Sequence, residues 1–315
     1  MRKYLFAAVL FLGISCQKLL EIPIPNFENK MVVNCIITKD TTINIRLSTT
    51  SRINANETQF IDNALVLLKQ ENNVVDTLKN SGNGYYYSTI KAQKCVTYKL
   101  EIQHSQFGLV YATTSIPNSL NISNISQKDF AVPLENNEFN GDVRLPACLF
   151  SFNINDPANE QNYYEIILTT KQTWNDSMSI NPERLVYPFS YMSEIVNEDI
   201  LDYSPQKIIF SDSLFNGQTK KIDILYVPMW LGMYGMQEYT YGKYRLIYKI
   251  RSISKEMYLY NKWLIKHQYN QQSDDITKFA DPVQMWTNIN NGYGVFAGYL
   301  ETKDSIFVKE TLFVF

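Results

Sequence analysis

Apolar and polar residues alternate in short runs along most of the chain, the period of half-buried strands rather than of helices. Met31 to Thr38 (MVVNCIIT) is apolar on both faces and predicts a central strand. Ile43, Ile45 and Leu47 then alternate with Asn44, Arg46 and Ser48. Further strand-like runs are Ala64 to Lys69, the Tyr85-Tyr86-Tyr87 stretch behind the turn cluster Asn80 to Gly84, the Tyr98/Leu100/Ile102 alternation, and Leu109 to Thr114. Roughly six short strands with turns between them in about 90 residues predict an antiparallel β-sandwich, Ig- or transthyretin-like, over residues 31–118.

Beyond Pro117, the hydroxyl- and Asn-rich stretch Ser119 to Gln127 reads as a connection and a domain boundary. Strand patterns resume at 147–154, 163–170, 207–210, 220–227 and 244–253. The Asn216-Gly217 turn signal between the third and fourth of these suggests a hairpin. Ser254 is a helix N-cap candidate. Met257, Tyr260, Leu264 and Gln268 fall on one face behind it, which predicts one amphipathic helix near 254–268, docked on a sheet. Ser305 to Phe315 returns to strand. The expected architecture is mainly β: a sandwich at 31–118 and a β-rich α+β domain at 119–315.

The first thirty residues break this pattern. A basic start (Arg2, Lys3) precedes an apolar run of about ten residues, Leu5 to Ile14, too short to span a bilayer and typical of an export signal. Polarity begins at Gln17, directly after Ser15-Cys16. Gly13-Ile14-Ser15-Cys16 resembles a lipobox, in which a small residue precedes a cysteine whose sulfur receives diacylglycerol; Gly13 stands where Leu is usual, with Leu12 one residue away. The reading is a lipoprotein signal at 1–15, lipidation at Cys16 and a tether at 16–30. Alternating prolines at Pro23 and Pro25 keep that tether from becoming a helix. The alternative is an ordinary secretory signal with a chance cysteine. Residues 17–21 resemble, with one late acid at Glu21, the acidic stretch behind the anchor that marks surface export, which implies the cell surface rather than the periplasmic face of the outer membrane.

Composition narrows the function. The apolar fraction of 45% supports true cores. The formal charge of −2 becomes more acidic once Arg2 and Lys3 leave with the signal, and nucleic-acid binding, which needs a basic face, is not expected. Cys35, Cys95 and Cys148 each sit in an apolar run and read as buried core residues, with a Cys35–Cys95 disulfide as the alternative. No nucleophile elbow, zinc-binding HExxH, P-loop or dinucleotide fingerprint occurs, and no cofactor or metal is expected. Asp274-Asp275 reads as a solvated loop. A hydrolase with dispersed carboxylates stays open, because such pairs come from distant positions.

The tract 228–244 is dense in aromatics and Met and interrupted by Gly232, Gly235 and Gly242. It reads as a loop or hairpin offering Trp230, Tyr234, Tyr239 and Tyr241 to a partner, or else as core. A second pattern is Asp-Ser/Thr followed by an aliphatic residue, Met or Thr. It places Thr41, Thr77, Ser177, Ser213 and Ser305 behind an Asp, where composition alone gives about one such triplet. It resembles the acceptor site of general O-glycosylation in Bacteroidota envelope proteins. Asp before a hydroxyl is equally good turn chemistry at a strand start.

Several segments together resemble one family. They are Val32 to Thr38 with Ile45 to Ser48, then Gly84-Tyr85-Tyr86, Tyr98 to Ile102 and Ile116-Pro117. Phe210 to Gly217 and Ser252 to Tyr258 follow, and the most specific are Phe279 to Gln284 and Asn288 to Tyr299. These are similar to the DUF4249 lipoproteins of Bacteroidota over nearly the whole mature chain. That family has no established activity. The resemblance implies a lipid-anchored binding or accessory subunit, because members tend to accompany TonB-dependent outer-membrane receptors; an independent glycan- or peptide-binding lipoprotein is the alternative. Asn291-Gly292, Gly294 and Gly298 among aromatics suit a tight turn feeding a close-packed strand.

Overall fold

The computed structural model describes residues 28–52, 58–136, 143–158, 160–172, 183–186, 188–191, 207–226, 231–234, 238–241, 243–271, 283–309 and 311–314. The chain is mainly β, with one helix among the described residues. The first eight strands are β1 Met31–Thr38, β2 Thr42–Thr49, β3 Leu65–Gln70, β4 Asn73–Thr77, β5 Lys79–Gly82, β6 Tyr85–Lys91, β7 Thr97–His104 and β8 Gly108–Ser115. Next come β9 Asn121–Asn136, β10 Val143–Asn155, β11 Tyr163–Gln172, β12 Arg184–Leu185, β13 Pro188–Tyr191, β14 Ile208–Ser211, β15 Thr219–Tyr226, β16 Leu231–Tyr234, β17 Glu238–Tyr241 and β18 Tyr244–Ile253. The helix α1, Lys255–Gln271, precedes β19 Tyr293–Val308 and β20 Thr311–Val314.

The organising element is a nine-stranded sheet in the order β12-β11-β18-β19-β1-β2-β6-β5, with β14 also paired to β11. Two four-stranded sheets lie on one of its faces. The sheet β4-β3-β7-β8 packs over β1, β2 and β6 and encloses Val33, Cys35, Ile45, Leu47, Tyr98, Leu100 and their neighbours. The sheet β13-β15-β10-β9 packs over β11 and β18 around Phe150, Phe152, Tyr164, Phe210, Tyr244 and Tyr248. The long strand β19 serves both cores: Phe296 enters the first and Val308 the second. Its first half pairs parallel with β1 and its second half antiparallel with β18. The sheet therefore runs through both expected segments, 31–118 and 119–315.

Strand period 2 places Val295, Ala297, Tyr163 and Ile253 on the other face of this sheet, and there α1 covers them with Met257, Tyr258 and Tyr260. Ser254 caps the helix as expected, its Oγ accepting the Met257 N–H at 3.3 Å. Beneath α1, the fully buried Glu165 accepts from Arg251 Nη1 at 2.6 Å and from Asn261 Nδ2 on the helix at 3.2 Å.

Three local expectations are corrected. Residues 121–127 are not a connection but the start of the edge strand β9, whose Ile122 and Ile125 pack against the second core while Asn121, Asn124 and Ser126 meet solvent. β14 and β15 form no hairpin: β14 pairs with β11 and β15 with β10 and β13, so the Asn216-Gly217 turn carries the chain from one sheet to the other. Cys95 is exposed, in a turn with φ +59°, and its thiol donates to Asn118 Oδ1 at 2.9 Å. Cys35 and Cys148 are buried, and none of the three forms a disulfide; burial pushes the Cys35 thiol up from its ordinary value.

Candidate functional site

Helix α1 covers only part of the outer face of the large sheet. Over β1, β2 and β6 that face is open. The alternation that buries Val33, Cys35, Ile43, Ile45, Leu47 and Tyr86 turns Asn34, Ile36, Asn44, Arg46, Tyr85 and Tyr87 outward. Ile36 is 51% exposed and Tyr87 42%. Arg46 sits opposite both Asn34 and Tyr85 in the ladder. Its guanidinium carbon lies 4.4 Å from the Phe60 ring centroid and 4.8 Å from that of Tyr85, so two rings sandwich the cation. Such contacts contribute about 0.5–1 kcal/mol each at exposed sites and hold the guanidinium in place. Tyr85 and Tyr87 lie nearly parallel, 6.2 Å apart. Tyr293, opposite Val32, extends the patch, with Lys30 Nζ 5.9 Å from its ring centroid. The face thus presents an ordered cation among exposed rings, a chemistry suited to contact with a surface or ligand.

The tract chosen from sequence lies elsewhere. Its described part is a hairpin, β16 with β17, extended by β20. Tyr234 stands opposite Glu238, Tyr239 between Met233 and Phe313, and Tyr241 between Leu231 and Thr311. Three of the four expected contact residues are thus brought into one small sheet; Trp230 lies outside the described residues. The hairpin and the Arg46 face lie off opposite ends of β19, since β20 follows Val308 and the face begins at Tyr293. If the hairpin is a contact surface, Trp230→Ala with Tyr234→Ala should leave cooperative unfolding unchanged while partner capture is lost, because buried aromatic anchors each contribute ~2 kcal/mol or more. Loss of cooperative unfolding in the double variant would instead place the tract in the core.

Of the candidate acceptor hydroxyls, Thr41, Thr77 and Ser213 are exposed and Ser305 is half-buried. Ser177, like Cys16, lies outside the described residues. Thr41 and Ser213 lie in turns before strands, whereas Thr77 ends β4 and Ser305 lies inside β19, where no turn exists. Asp76 Oδ1 and Asp304 Oδ1 accept the N–H of Thr77 and Ser305, and Thr41 Oγ1 donates to the Thr38 carbonyl at 2.6 Å. Asp212, before Ser213, is fully buried. Its Oδ2 accepts the Asn162 N–H at 2.8 Å. Asp156 opposite accepts from Gly217 N at 2.8 Å and from the Tyr164 hydroxyl. Burial pushes the Asp212 carboxyl above the usual carboxylate range. The two carboxylates clasp the 156–162 and 212–217 loops. With only Asp212 Oδ1 left unpartnered, the clasp lacks the several free oxygens that a calcium site needs. Among the described residues no group of three or more His, Cys, Asp or Glu is placed to hold a metal ion, and no helix is long and apolar enough to cross a membrane.

The Arg46 face escaped the sequence reading because Tyr85, Tyr86 and Tyr87 are consecutive, so period 2 does not tell which of them points inward. The signal in the sequence is Arg46 itself, the charged residue on the polar side of the Ile43/Ile45/Leu47 alternation; its aromatic neighbours come from the register. No curated protein matches the chain. A family model described as a domain of unknown function, DUF4249, matches residues 17–305. The chain belongs to the DUF4249 family.

Proposed function

We propose that the protein is an outer-membrane lipoprotein of the Bacteroidota type, anchored through Cys16, that acts as a binding or accessory subunit beside a TonB-dependent transporter rather than as an enzyme. The single observation that favours binding is the open aromatic face, where Arg46 is held between Phe60 and Tyr85 on the exposed side of the large sheet. The anchor rests on the apolar run Leu5 to Ile14 ending at Ser15-Cys16. The association with a transporter and the cell-surface location rest on the family resemblance and on Glu21 alone. The alternative, an independent glycan- or peptide-binding lipoprotein, draws on the Tyr-rich hairpin of β16 and β17.

Two measurements separate these readings. Cys16→Ala should leave the chain without its acyl mass and release it from membranes on carbonate washing; a mutant that stays in the membrane pellet removes the anchor. Affinity purification of the native protein should bring down a barrel protein of the TonB-dependent class, whereas a pure protein that binds glycan or peptide by itself supports the alternative.

The same reading includes O-glycans at Thr41, Thr77, Ser177, Ser213 and Ser305. Thr41 is the position to test first, because it is exposed and Asp40 beside it is 71% exposed, whereas Asp212 before Ser213 is spent on the loop clasp. Intact mass of the protein from its native envelope should drop by one glycan on Thr41→Ala. An intact mass equal to that of the bare lipidated chain removes the glycosylation reading.

A further inference from the structure

We propose that the open face of β1, β2 and β6 is a membrane-docking face, on which Phe60, Tyr85 and Tyr293 settle at the headgroup level of the bilayer while Arg46 and Lys30 meet lipid phosphates. This inference rests on the Cys16 anchor proposed above.

The first argument is position. The chain enters the fold at Lys30 and Met31, so the tether is rooted at that end of β1. The face gathers at the same end. Tyr293 and Ser48 both stand opposite Val32, Phe60 bridges to Ser48, and Arg46 stands opposite Asn34. Residues 17–30 separate the anchor from this root, a reach of at most ~50 Å fully extended, so an anchored protein keeps its tether-proximal end near the lipid. Tethering turns docking into an intramolecular step, and modest interfacial attraction then suffices.

The second argument is chemistry. Tyr and Phe rings with an apolar body sit well at a membrane interface, and long cations reach lipid phosphates from it. The outward side chains of β1, β2 and β6 include Arg46 and Lys91 and no acid, although the whole chain carries a net charge of −2. The complement of such a face is anionic, and anionic headgroups attract each basic residue near the surface. Helix α1 covers the middle of this sheet surface, over Tyr163, Ile253, Val295 and Ala297. Of the two ends it leaves uncovered, the one beside the tether root carries Arg46 and Lys30, while Arg245 and Phe307 stand at the far end, away from the tether.

The test uses the lipidated full-length chain, reconstituted into vesicles of phosphatidylcholine and phosphatidylglycerol that contain doxyl-labelled lipid. In a Cys95→Ser background, which removes the exposed thiol, a fluorescent label is placed at Ile36→Cys on the face or at Leu65→Cys on the outer side of the opposite sheet, both about half exposed. Mass spectrometry of the same preparation reports acylation. Acylated protein whose label at 36 is quenched well beyond that at 65 supports the proposal. Arg46→Glu or Lys30→Glu should then reduce the docked fraction roughly fivefold in the anionic vesicles, with little change in pure phosphatidylcholine. Acylated protein with equal quenching at both positions overturns the docking face and leaves the anchor standing. A chain without acyl mass overturns the anchor, and the docking face falls with it. A label at 36 that is unquenched by lipid but shielded by a co-purifying protein assigns the face to that protein and overturns the membrane assignment.

Discussion

Gly294→Ala is expected to abolish the native fold, with a loss above about 4 kcal/mol. Two independent penalties meet at this residue. Its φ is +102°, a region that L side chains rarely adopt. An added Cβ would also lie 2.1 Å from the Val33 carbonyl oxygen, in the parallel ladder that joins β19 to β1. That oxygen is backbone in a buried strand and cannot step aside without opening the ladder that joins the two cores. Two other glycines separate the penalties. Gly108 has φ +68° with nothing within 4 Å of an added Cβ, so Gly108→Ala should cost only the conformational ~1–2 kcal/mol. At Gly298 a Cβ would lie 2.4 Å from the Ser115 carbonyl oxygen without a left-handed φ, so Gly298→Ala isolates the clash. Urea unfolding of the three variants should rank Gly108→Ala mildest and Gly294→Ala as failing to yield folded protein. A folded Gly294→Ala within about 2 kcal/mol of the parent would show that the β1–β19 junction yields easily.

Gly294 and Gly298 were legible in the sequence, and so was most of the secondary structure. Asn291-Gly292, Gly294 and Gly298 among aromatics announced a tight turn and a close-packed strand, and Asn291 does adopt φ +61° at the start of β19. β1 was readable as a central strand because MVVNCIIT has no polar face, and α1 because Ser254 caps a run of period 3.6. What the pattern could not show was partnership. β1 is central because β19 lies parallel beside it, and that partner stands near the other end of the chain, beyond the reach of any local rule. β9 was hidden by its own chemistry: an edge strand needs few apolar residues, so NISNIS reads as a linker although Ile122 and Ile125 carry its packing. The same limit applied to the site. Aromatic density drew attention to residues 228–244, and three of the tyrosines chosen there do share a hairpin system. The Arg46 face depended on cross-strand neighbours, Arg46 with Tyr85 and Ser48 with Phe60, and such pairs become visible only once the register is known.

Register also accounts for Glu165, whose replacement by Ala is expected to cost about 3–5 kcal/mol. In sequence it is one acid within the run Tyr163 to Leu168. In the fold it stands opposite Arg251, which stands opposite Glu301, so three strands carry a cross-strand row of acid, base and acid under the edge of α1. Glu165 is fully buried and accepts from Arg251 Nη1 at 2.6 Å, while Arg251 Nε donates to Glu301 Oε2 at 2.7 Å. Lys207 Nζ approaches to 3.7 Å, and the Tyr299 ring lies 4.4 Å from the guanidinium. Asn261 Nδ2 ties α1 to the same carboxylate at 3.2 Å. Removing Glu165 takes from a largely buried guanidinium the closer of its two carboxylates, leaving Glu301 alone beside it, and strips Asn261 of its acceptor, so the loss exceeds that of an ordinary hydrogen bond. The origin of the cost can be tested with the companion change Arg251→Met. If the penalty comes from the uncompensated charge rather than from lost attraction, Glu165→Ala/Arg251→Met should recover at least ~1 kcal/mol of the single-variant loss. The double variant should also unfold with the same denaturant slope as the parent, since the exposed surface is unchanged. A Glu165→Ala loss below about 1 kcal/mol would mean that water replaces the carboxylate under α1, and the row would then serve to fix the helix position rather than to stabilise the fold.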